Sequence, residues 1–334
     1  MPSEPLSFSD LNAALRAAAE VTRMRILALL AESELTVSDL TDILRQSQPR
    51  ISRHLRLLTE VGFVERFREG AWAFFRLAES GPNAELAHLL LGQLDSSDPT
   101  ILRDRERLAA VRGARAAAAQ AYFSRHAAEW DRIRKLHVPD AAVEEAVQTA
   151  LADKPMRALL DLGTGTGRML ELFGADIERG LGVDLSADML ALARARLDRA
   201  GLKHCSARKG DIYDLAVPKD SFDVVILHQV LHFLDDAARA IREAARVLRP
   251  GGRLLIVDFA PHGLEFLREE YAHRRLGFSA EAVAQWLEAA GLNVVMRRNL
   301  APEPDSEGKI TVSLWLARDP RVEAAGNTLR MVKT

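Results

Sequence analysis

Hydrophobic and polar residues follow two different periods along the first part of the chain. Residues 8–31, 36–45 and 47–60 have apolar positions three and four residues apart, which predicts helices. Residues 64–77 instead alternate between apolar and polar, which predicts two short strands joined by a turn at Glu69 and Gly70. Helices followed by a hairpin are the order of a winged helix-turn-helix, an α+β fold.

A second pattern begins near Arg157, where short β-rich runs alternate with helical stretches. Such alternation predicts an open, mostly parallel α/β sheet. The runs that predict its strands are 158–162, 181–184, 222–227 and 253–259. Between the two patterns, residues 101–133 predict one long helix, because they are rich in Arg, Glu and Ala and contain no proline.

These patterns predict a multidomain chain of 334 residues. Its expected segments are a winged helix-turn-helix domain at 1–95, a helical linker or lid at 96–150, an α/β domain with a Rossmann-like sheet at 151–320, and a tail at 321–334.

The composition excludes several classes of protein. The longest apolar run, Ile26 to Ala31, is far shorter than the roughly 20 residues of a membrane span. The N-terminus lacks the basic and apolar segments of a secretory signal, and the single cysteine, Cys205, cannot form an internal disulfide. We therefore expect a cytoplasmic protein without a membrane partner.

The third predicted helix, SQPRISRHLRLL, has the character of a DNA-recognition helix. Ser47 is a favourable N-cap and Pro49 suits the first turn. Ile51, Leu55 and Leu58 lie on one helical face and are predicted to pack inward. The remaining positions are predicted to face the major groove of DNA. These DNA-binding candidates are Ser47, Gln48, Arg50, Ser52, Arg53, His54 and Arg56.

Positive charge is concentrated in the same region. Residues 1–95 contain 10 Arg and 13 Asp or Glu, a net charge of −3. Residues 50–76 contain six Arg against three Glu, a net charge of +3. This distribution fits phosphate contacts. A helical domain with a solvated arginine face explains the charge pattern equally well.

The stretch from Thr22 to Leu77, with the motifs TRMRIL, SQPRISRHL and REGAWAFFRL, resembles the ArsR/SmtB family of dimeric bacterial repressors. The resemblance implies a homodimer that binds a roughly palindromic operator in double-stranded DNA, with Arg68 of the hairpin contacting the DNA backbone or minor groove. Many members sense metals through a Cys-x-Cys pair, at which this chain has Thr36 and Ser38. Because hydroxyls are poor ligands for thiophilic metals, we expect no metal site.

The α/β segment begins with a strand and a glycine-rich turn, DLGTGTGRML. Gly163, Gly165 and Gly167 would let the backbone approach a ligand closely. Asp184, 21 residues after Gly163, ends the second predicted strand, where a carboxylate can accept hydrogen bonds from ribose hydroxyls. The spacing G-x-G-x-G differs from the G-x-G-x-x-G of dinucleotide sites.

Residues 122–317 resemble class I methyltransferases that depend on S-adenosylmethionine (SAM). The resemblance rests on this turn together with three further motifs, GDI at 210–212, HQVLHFLDD at 228–236 and AARVLRPGGRLLIVDF at 244–259. The similarity is strongest to the small-molecule branch that includes ubiquinone and menaquinone methyltransferases. The resemblance implies that SAM, or its product S-adenosylhomocysteine (SAH), is the cofactor.

The resemblance also implies the roles of individual residues. The residues it assigns to the cofactor are Asp161, Gly163 and Gly165 near the methionine moiety, Gly167 in the same loop, Asp184 at the ribose, Leu185, Met189, Asp211 and Ile212 at the adenine, and His228 facing the sulfonium. Tyr122, with Phe123 and Trp130, lies where such enzymes often place a lid. Ordinary packing under a helix explains these aromatic residues equally well.

Some reactions fit this sequence poorly. The fourth strand is not followed by the N/D-P-P-Y/F motif of enzymes that methylate base nitrogens, and Cys205 alone cannot hold arsenite. His228 and His232 are weak candidates for a general base toward an acidic hydroxyl or carbon acid. Either histidine fits the wall of a pocket as well.

The chain also resembles ArsR-type regulators that carry a methyltransferase-like domain and control the methionine cycle. This predicts a DNA-binding transcriptional regulator whose methyltransferase-fold domain binds SAM or SAH and modulates operator affinity. The alternative is an active methyltransferase for O- or C-methylation of a small-molecule acceptor, which also represses its own gene. A third hypothesis is a cofactor-independent repressor, against which the intact DLGTGTG and Asp184 argue.

Overall fold

The computed structural model describes residues 6–69, 72–78, 81–127, 140–301 and 310–321. The chain divides into two compact units, Met1–Ala118 and Ala119–Thr334, and the division falls inside one helix.

The N-terminal unit combines helices with a small antiparallel sheet. In chain order its elements are α1 (Phe8–Ala18), α2 (Val21–Glu32), β1 (Leu35–Thr36), α3 (Val37–Leu44), α4 (Gln48–Glu60), β2 (Val64–Glu69), β3 (Trp72–Leu77), α5 (Pro82–Gly92) and α6 (Pro99–His126), of which α6 ends in the second unit. β3 pairs with β1 on one side and β2 on the other. The predicted order of a winged helix-turn-helix is confirmed.

A capping box starts α3. The Thr36 hydroxyl accepts a hydrogen bond from the Asp39 amide at 3.2 Å, and the Asp39 carboxylate accepts one from the Thr36 amide at 2.9 Å. These two bonds satisfy amides that a helix leaves unpaired at its start. Thr36 therefore has a local structural role at the start of α3.

The long helix is shorter in the structure than its sequence pattern suggests. The prediction covered 101–133, and the structure describes α6 as ending at His126, with Gly113 causing no break. Ile133 and Trp130 lie outside the described residues. The first half of α6 belongs to the N-terminal unit, where Arg25 of α2 donates two hydrogen bonds of 2.6 Å to Asp104.

The second unit is an α/β fold with one large sheet. After the end of α6, its elements are α7 (Asp140–Leu151), β4 (Ala158–Leu162), α8 (Arg168–Phe173), β5 (Arg179–Asp184), α9 (Ala187–Arg199), β6 (Cys205–Lys209), β7 (Phe222–His228), α10 (Ala237–Val247), β8 (Leu248–Phe259), α11 (Phe266–Glu270), α12 (Ala280–Ala289), β9 (Asn293–Leu300) and β10 (Val312–Arg318). The strand order is β6-β5-β4-β7-β8-β10-β9.

The first five strands of this sheet pair in parallel, and β10 pairs antiparallel with both β8 and β9. Helices cover both faces. α7, α8 and α9 bury one face, around Val147, Leu170 and Ala193, and α10 and α12 bury the other, around Ile241 and Val283. The predicted Rossmann-like fold is confirmed. Chain order reverses between β4 and β7, which is where ligands bind in such sheets, at the carboxyl ends of the strands.

One local prediction differs from the structure. The sequence pattern predicts a strand at 253–259, but β8 begins at Leu248 and includes the Pro250–Gly252 segment. The segment makes an irregularity in the pairing with β7, since Phe222 pairs with Leu248 whereas Val224 pairs with Arg253. A bulge accommodates proline, which cannot donate to the sheet.

Candidate DNA-recognition surface and cofactor site

α4 has one buried and one exposed face. Ile51, Leu55 and Leu58 are buried in the N-terminal core, as the periodicity predicts. The exposed members of the predicted DNA-binding set are Ser47, Gln48, Arg50, Ser52, Arg53 and Arg56. Ser47 occupies the N-cap position, but its side chain makes no capping hydrogen bond. Its hydroxyl is therefore not used by the helix.

His54 does not belong to the exposed face. Only 8% of it is exposed, because it lies three residues after Ile51 and four before Leu58, on the inward side of α4. Its Nδ1 lies 3.7 Å from an oxygen of Glu20, and neither ring nitrogen has a hydrogen-bond partner among the described residues. Its assignment to DNA contact from the sequence was wrong, since a side chain in this position cannot reach a groove.

The environment of His54 disfavours its protonated form. Burial lowers the pKa of the imidazole, and the positive charges of Arg23, Arg50 and Arg53 lower it further, while Glu20 opposes them. The neutral ring is therefore the form that suits the folded N-terminal unit.

The hairpin adds further positive charge. Arg66 and Arg68 on β2 are exposed, as expected for a wing that contacts DNA, whereas Arg76 on β3 pairs with Glu65 at 2.8 Å. On α4, Arg56 lies 3.6 Å from Glu60. The exposed arginines without an ion pair in the described part of this region are Arg50, Arg53, Arg66 and Arg68.

In the second unit, the glycine-rich loop follows β4 at the carboxyl edge of the sheet. Gly163, Gly165 and Gly167 all have positive φ, between 51° and 81°, a conformation that favours glycine. At Gly163 a Cβ atom would lie 2.4 Å from a methyl group of Val230, in the loop after β7. The loop thus requires glycine both for its backbone angles and for space.

Asp184 at the end of β5 fastens this loop. Its carboxylate accepts hydrogen bonds from the Gly165 amide at 2.9 Å and the Ser186 amide at 2.8 Å. Burial outweighs these bonds and raises the pKa of the Asp184 carboxyl. The bond to Gly165 was not anticipated from the sequence, which suggested only a ribose contact.

Asp161 lies on β4 within the same edge. It is buried, and its carboxylate accepts a hydrogen bond of 2.6 Å from the Thr164 hydroxyl. Thr164 in turn donates its amide to the Val183 carbonyl of β5, as Gly163 does. These bonds shape the loop between two adjacent parallel strands.

The other predicted cofactor residues lie after neighbouring strands. Leu185 follows β5 and is 43% exposed, which is unusual for leucine, whereas Met189 in the first turn of α9 is buried. Asp211 follows β6 and is exposed, and Ile212 beside it is buried. The parallel register of β4, β5 and β6 puts all of these residues at the same edge as the glycine loop.

The two histidine candidates differ in their surroundings. His228 ends β7 and is half-buried. His232 is 2% exposed, and its Nδ1 lies 2.8 Å from Oδ1 of Asp258, a fully buried residue of β8. Asp258 was missed by sequence reasoning. Its motif, IVDF, was recognised only as a strand, and nothing local indicates that its carboxylate pairs with a histidine 26 residues earlier.

Aromatic and imidazole rings surround His232. Its ring centroid lies 4.0 Å from that of Phe233, 4.2 Å from His273 and 4.8 Å from Phe259. Phe233 also packs edge-on against Phe123, near the end of α6, at 4.7 Å. We call these rings and those they touch the ring cluster; its members are Tyr122, Phe123, His126, His232, Phe233, Phe259, His262, Phe266, Tyr271 and His273.

Tyr122 lies at one end of the ring cluster. It is 6% exposed, and its hydroxyl has no hydrogen-bond partner among the described residues. Burial and the neighbouring Tyr271 raise the pKa of Tyr122 to about 12, against a smaller opposing effect of Arg125. The hydroxyl is thus a neutral donor at ordinary pH.

No group of three or more His, Cys, Asp or Glu side chains among the described residues is arranged to hold a metal ion. No helix in the described ranges is long and apolar enough to cross a membrane. Cys205 is buried on β6, where burial raises the pKa of its thiol.

Part of each unit matches a known family. Residues 20–66 match the family described as "Bacterial regulatory protein, arsR family", and residues 160–256 match "Methyltransferase domain". The predicted resemblances to the ArsR family and to methyltransferases are confirmed.

Individual relatives match part of the chain. The chain is 34% identical over 104 residues to the "Uncharacterized methyltransferase YcgJ" of Bacillus subtilis, covering 31% of this chain and 41% of that protein. It is 40% identical over 129 residues to an "Arsenite methyltransferase" of Aquipseudomonas alcaligenes, covering 35% of this chain and 34% of that protein. The chain thus spans less than half the length of either relative.

A solved complex between the Haloferax volcanii Trm112 methyltransferase activator and a methyltransferase contains a similar fold. The TM-score is 0.50 with 25% sequence identity, and the match covers 60% of this chain and 98% of that one.

Proposed function

We propose that this chain, which joins an arsR-family helix-turn-helix domain to a methyltransferase domain, is a transcriptional regulator that binds operator DNA and whose affinity for DNA changes when its second unit binds SAM or SAH. The observation that carries the proposal is α6, a single helix whose first turns are ion-paired within the DNA-binding unit and whose last turns belong to the ligand-binding unit. Such a protein would act in the cytoplasm, on the DNA of its own cell.

The DNA-binding half of the proposal is supported by the exposed face of α4 and by the hairpin. Arg50 and Arg53 on the helix and Arg66 and Arg68 on β2 present positive charge without a competing carboxylate. Phosphate contacts from such residues position a protein on DNA, while the polar residues at the start of α4 are suited to base edges.

An apolar face on α1 supports the proposal of a homodimer. Phe8, Leu11 and Leu15 recur at helical spacing and are 88%, 38% and 44% exposed. Large apolar side chains on one helical face are typical of a surface that another molecule covers. A second copy would cover this face and present two recognition helices to a palindromic operator, as in other dimeric helix-turn-helix proteins.

The carboxyl edge of the large sheet fits the cofactor. The positive-φ glycine loop leaves room for backbone contacts to a ligand, and the Asp184 carboxylate retains lone pairs for ribose hydroxyls. The exposed Leu185 offers an apolar surface for an adenine ring, beside the buried Met189. SAM bound there would supply an activated methyl group on a positively charged sulfur, which SAH lacks.

The coupling would run through α6. In the N-terminal unit, Arg115 of α6 is ion-paired with Asp39, the residue that closes the capping box of α3. In the second unit, Gln120 of the same helix donates to the carbonyl of Leu185 at 3.5 Å. We assume two conformations of the protein that differ at the end of α6. A ligand that binds one of them more tightly would favour it and would thereby change the orientation of α3 and α4. Differential binding to two states is the requirement, since equal binding would shift nothing.

The test is fluorescence anisotropy of the full chain on DNA from its own upstream region. Measurements at one fixed salt concentration would compare no ligand, SAM and SAH, because DNA affinity depends steeply on salt. We expect either ligand to change the affinity several-fold, with SAM and SAH differing. Asp184→Ala should abolish the response and keep the ligand-free affinity, whereas the exposed Asp188→Ala should respond like the wild type. Identical affinities in all three conditions would refute the proposal.

A second candidate is a small-molecule methyltransferase that also represses its own gene. The buried His232–Asp258 pair favours it, because a regulator that merely senses SAM has no need of a potential base. Arsenite, the substrate named for one relative, is not carried over, since holding it needs several thiols and the chain has one cysteine. Mass spectrometry of candidate acceptors incubated with SAM distinguishes this function from sensing alone.

A further inference from the structure

We propose that binding of DNA draws a proton onto His54, so that the affinity of this chain for operator DNA rises as the solution becomes mildly acidic. The coupling rests on the proposed DNA binding through α4 and adds a regulation of that site by pH. It depends on where His54 lies in the N-terminal unit and on the charges around its ring.

His54 lies on the inner side of α4, whose outer side carries Arg50 and Arg53. It is 8% exposed, and its Nδ1 lies 3.7 Å from a carboxylate oxygen of Glu20. Neither ring nitrogen makes a hydrogen bond within the described residues. A neutral imidazole has one nitrogen with a lone pair, which can take up a proton. The proton-binding atom and an anion near the resulting imidazolium are therefore both present in the folded unit.

In the absence of DNA, the balance of charges favours the neutral ring. Burial lowers the pKa of the His54 imidazole, and the Glu20 carboxylate opposes this effect. The positive charges of Arg23, Arg50 and Arg53 lower the pKa further. Two of these three arginines are the exposed ones of α4, so the protonation of His54 responds to what binds on the outer side of that helix.

The other carboxylates on the elements packed against α4 are exposed or paired with other residues. They are Asp10 of α1, Glu32 of α2, Asp39 and Asp42 of α3, and Glu65 of β2. The basic groups there, besides Arg23, are the paired Arg25 of α2 and the exposed Arg16 of α1 and Arg66 and Arg68 of β2. Glu20 is therefore the carboxylate available to a protonated His54.

DNA phosphates reverse part of this balance. Arg50 lies about one helical turn before His54, and Arg53 immediately precedes it. A phosphate that pairs with either arginine cancels the positive charge that acts on the ring, and its own negative charge favours the imidazolium. Because the ring is buried, salt screens this effect less than it screens charges at the surface. DNA binding thus favours protonation, and by reciprocity protonation favours DNA binding to the same extent.

The experiment is calorimetric titration of the full chain with DNA from its own upstream region, at pH 6 and at one fixed salt concentration. Two buffers with different ionisation enthalpies give the number of protons taken up per bound protomer. We expect an uptake of at least about 0.3 proton, and an affinity about threefold to tenfold higher at pH 6 than at pH 7.5, since one group binds at most one proton.

The matched variants are His54→Gln, which cannot titrate, and His88→Gln, at an exposed position of α5 and the other histidine of residues 1–118. His54→Gln should lose the proton uptake and most of the pH dependence, whereas His88→Gln should keep both. Glu20→Gln, which removes the anion near the ring, should reduce the uptake at pH 6. Circular dichroism at each pH confirms that the variants remain folded.

DNA binding by the wild type without proton uptake, or an uptake that persists in His54→Gln, would overturn the coupling and leave the proposed function intact. Absence of DNA binding at every pH would refute the proposed function and the coupling with it, so the two failures are distinguishable.

Discussion

Arg25 of α2 donates two parallel hydrogen bonds of 2.6 Å to Asp104 of α6, and Asp104 is almost completely buried. The side chains are 79 residues apart in sequence. Bidentate pairs of this kind fix the orientation of the elements that carry them. The pair therefore attaches the first turns of α6 to α2 in the N-terminal unit.

Breaking this pair should destabilise the N-terminal unit. Asp104→Ala leaves the Arg25 guanidinium, which is mostly buried, without its partner, and we expect a loss of about 3 kcal/mol in the free energy of unfolding. Urea denaturation of the full chain measures this change in the free energy of unfolding. Glu106→Ala, two residues further along α6 and exposed, is the control and should change stability by less than about 0.5 kcal/mol. A similar small effect for both variants would show that the pair does not hold α6.

His54 should make the N-terminal unit sensitive to mild acid. Its pKa is lowered in the folded unit from the usual 6.5, so above that pH the ring is neutral in both folded and unfolded chains. As the pH falls below 6.5, the unfolded chain binds a proton that the folded unit resists, and stability declines until the pH passes the lowered pKa.

The measurement is the urea midpoint between pH 7.5 and pH 5 for the wild type and His54→Gln, which cannot titrate. The decline over this range should be smaller in His54→Gln, and the exposed His88→Gln should behave as the wild type does. Glu20, the carboxylate that faces the ring, titrates below this window because its own pKa is lowered. An identical decline in His54→Gln would contradict the prediction.

The glycine loop should not tolerate a methyl group at its first position. Gly163→Ala places a Cβ against the Val230 side chain in a backbone conformation that alanine rarely adopts. We expect a stability loss of about 1–3 kcal/mol and much weaker SAH binding, measured by thermal unfolding and calorimetry. Adding Val230→Ala should restore part of the stability, since it removes the clash but not the backbone strain. No gain in the double variant would mean that the clash is not the cause.

Arg53 should contribute to DNA affinity through a phosphate. Arg53→Ala removes an exposed charge from α4, and the slope of log K against log salt should become shallower by about one. Anisotropy on operator DNA at several salt concentrations measures this slope. Arg199→Ala, an equally exposed arginine in the second unit, should leave it unchanged. If the affinity falls for operator DNA but not for unrelated DNA, Arg53 contacts a base rather than a phosphate.

Local patterns were sufficient for much of the fold. The inward residues of α4, the two strands of the hairpin and the strand before the glycine loop follow from periodicity, because neighbouring residues alone decide which side of an element is apolar. His54 was predicted to face DNA because it is a polar side chain in an arginine-rich helix, although its spacing from Ile51 and Leu58 places it on the inward face.

The sequence by itself determined the fold class of each unit and the face of α4 that exposes Arg50 and Arg53. Its glycine spacing was also enough to favour an adenosyl cofactor. The tertiary structure alone decided which polar groups meet. Asp258 reaches His232 because β7 and β8 are adjacent in the sheet, and Asp184 reaches Gly165 because β4 and β5 are. Hydrogen bonds act over about 3 Å, whereas these partners are separated by whole elements in sequence, so only the packed sheet can specify them.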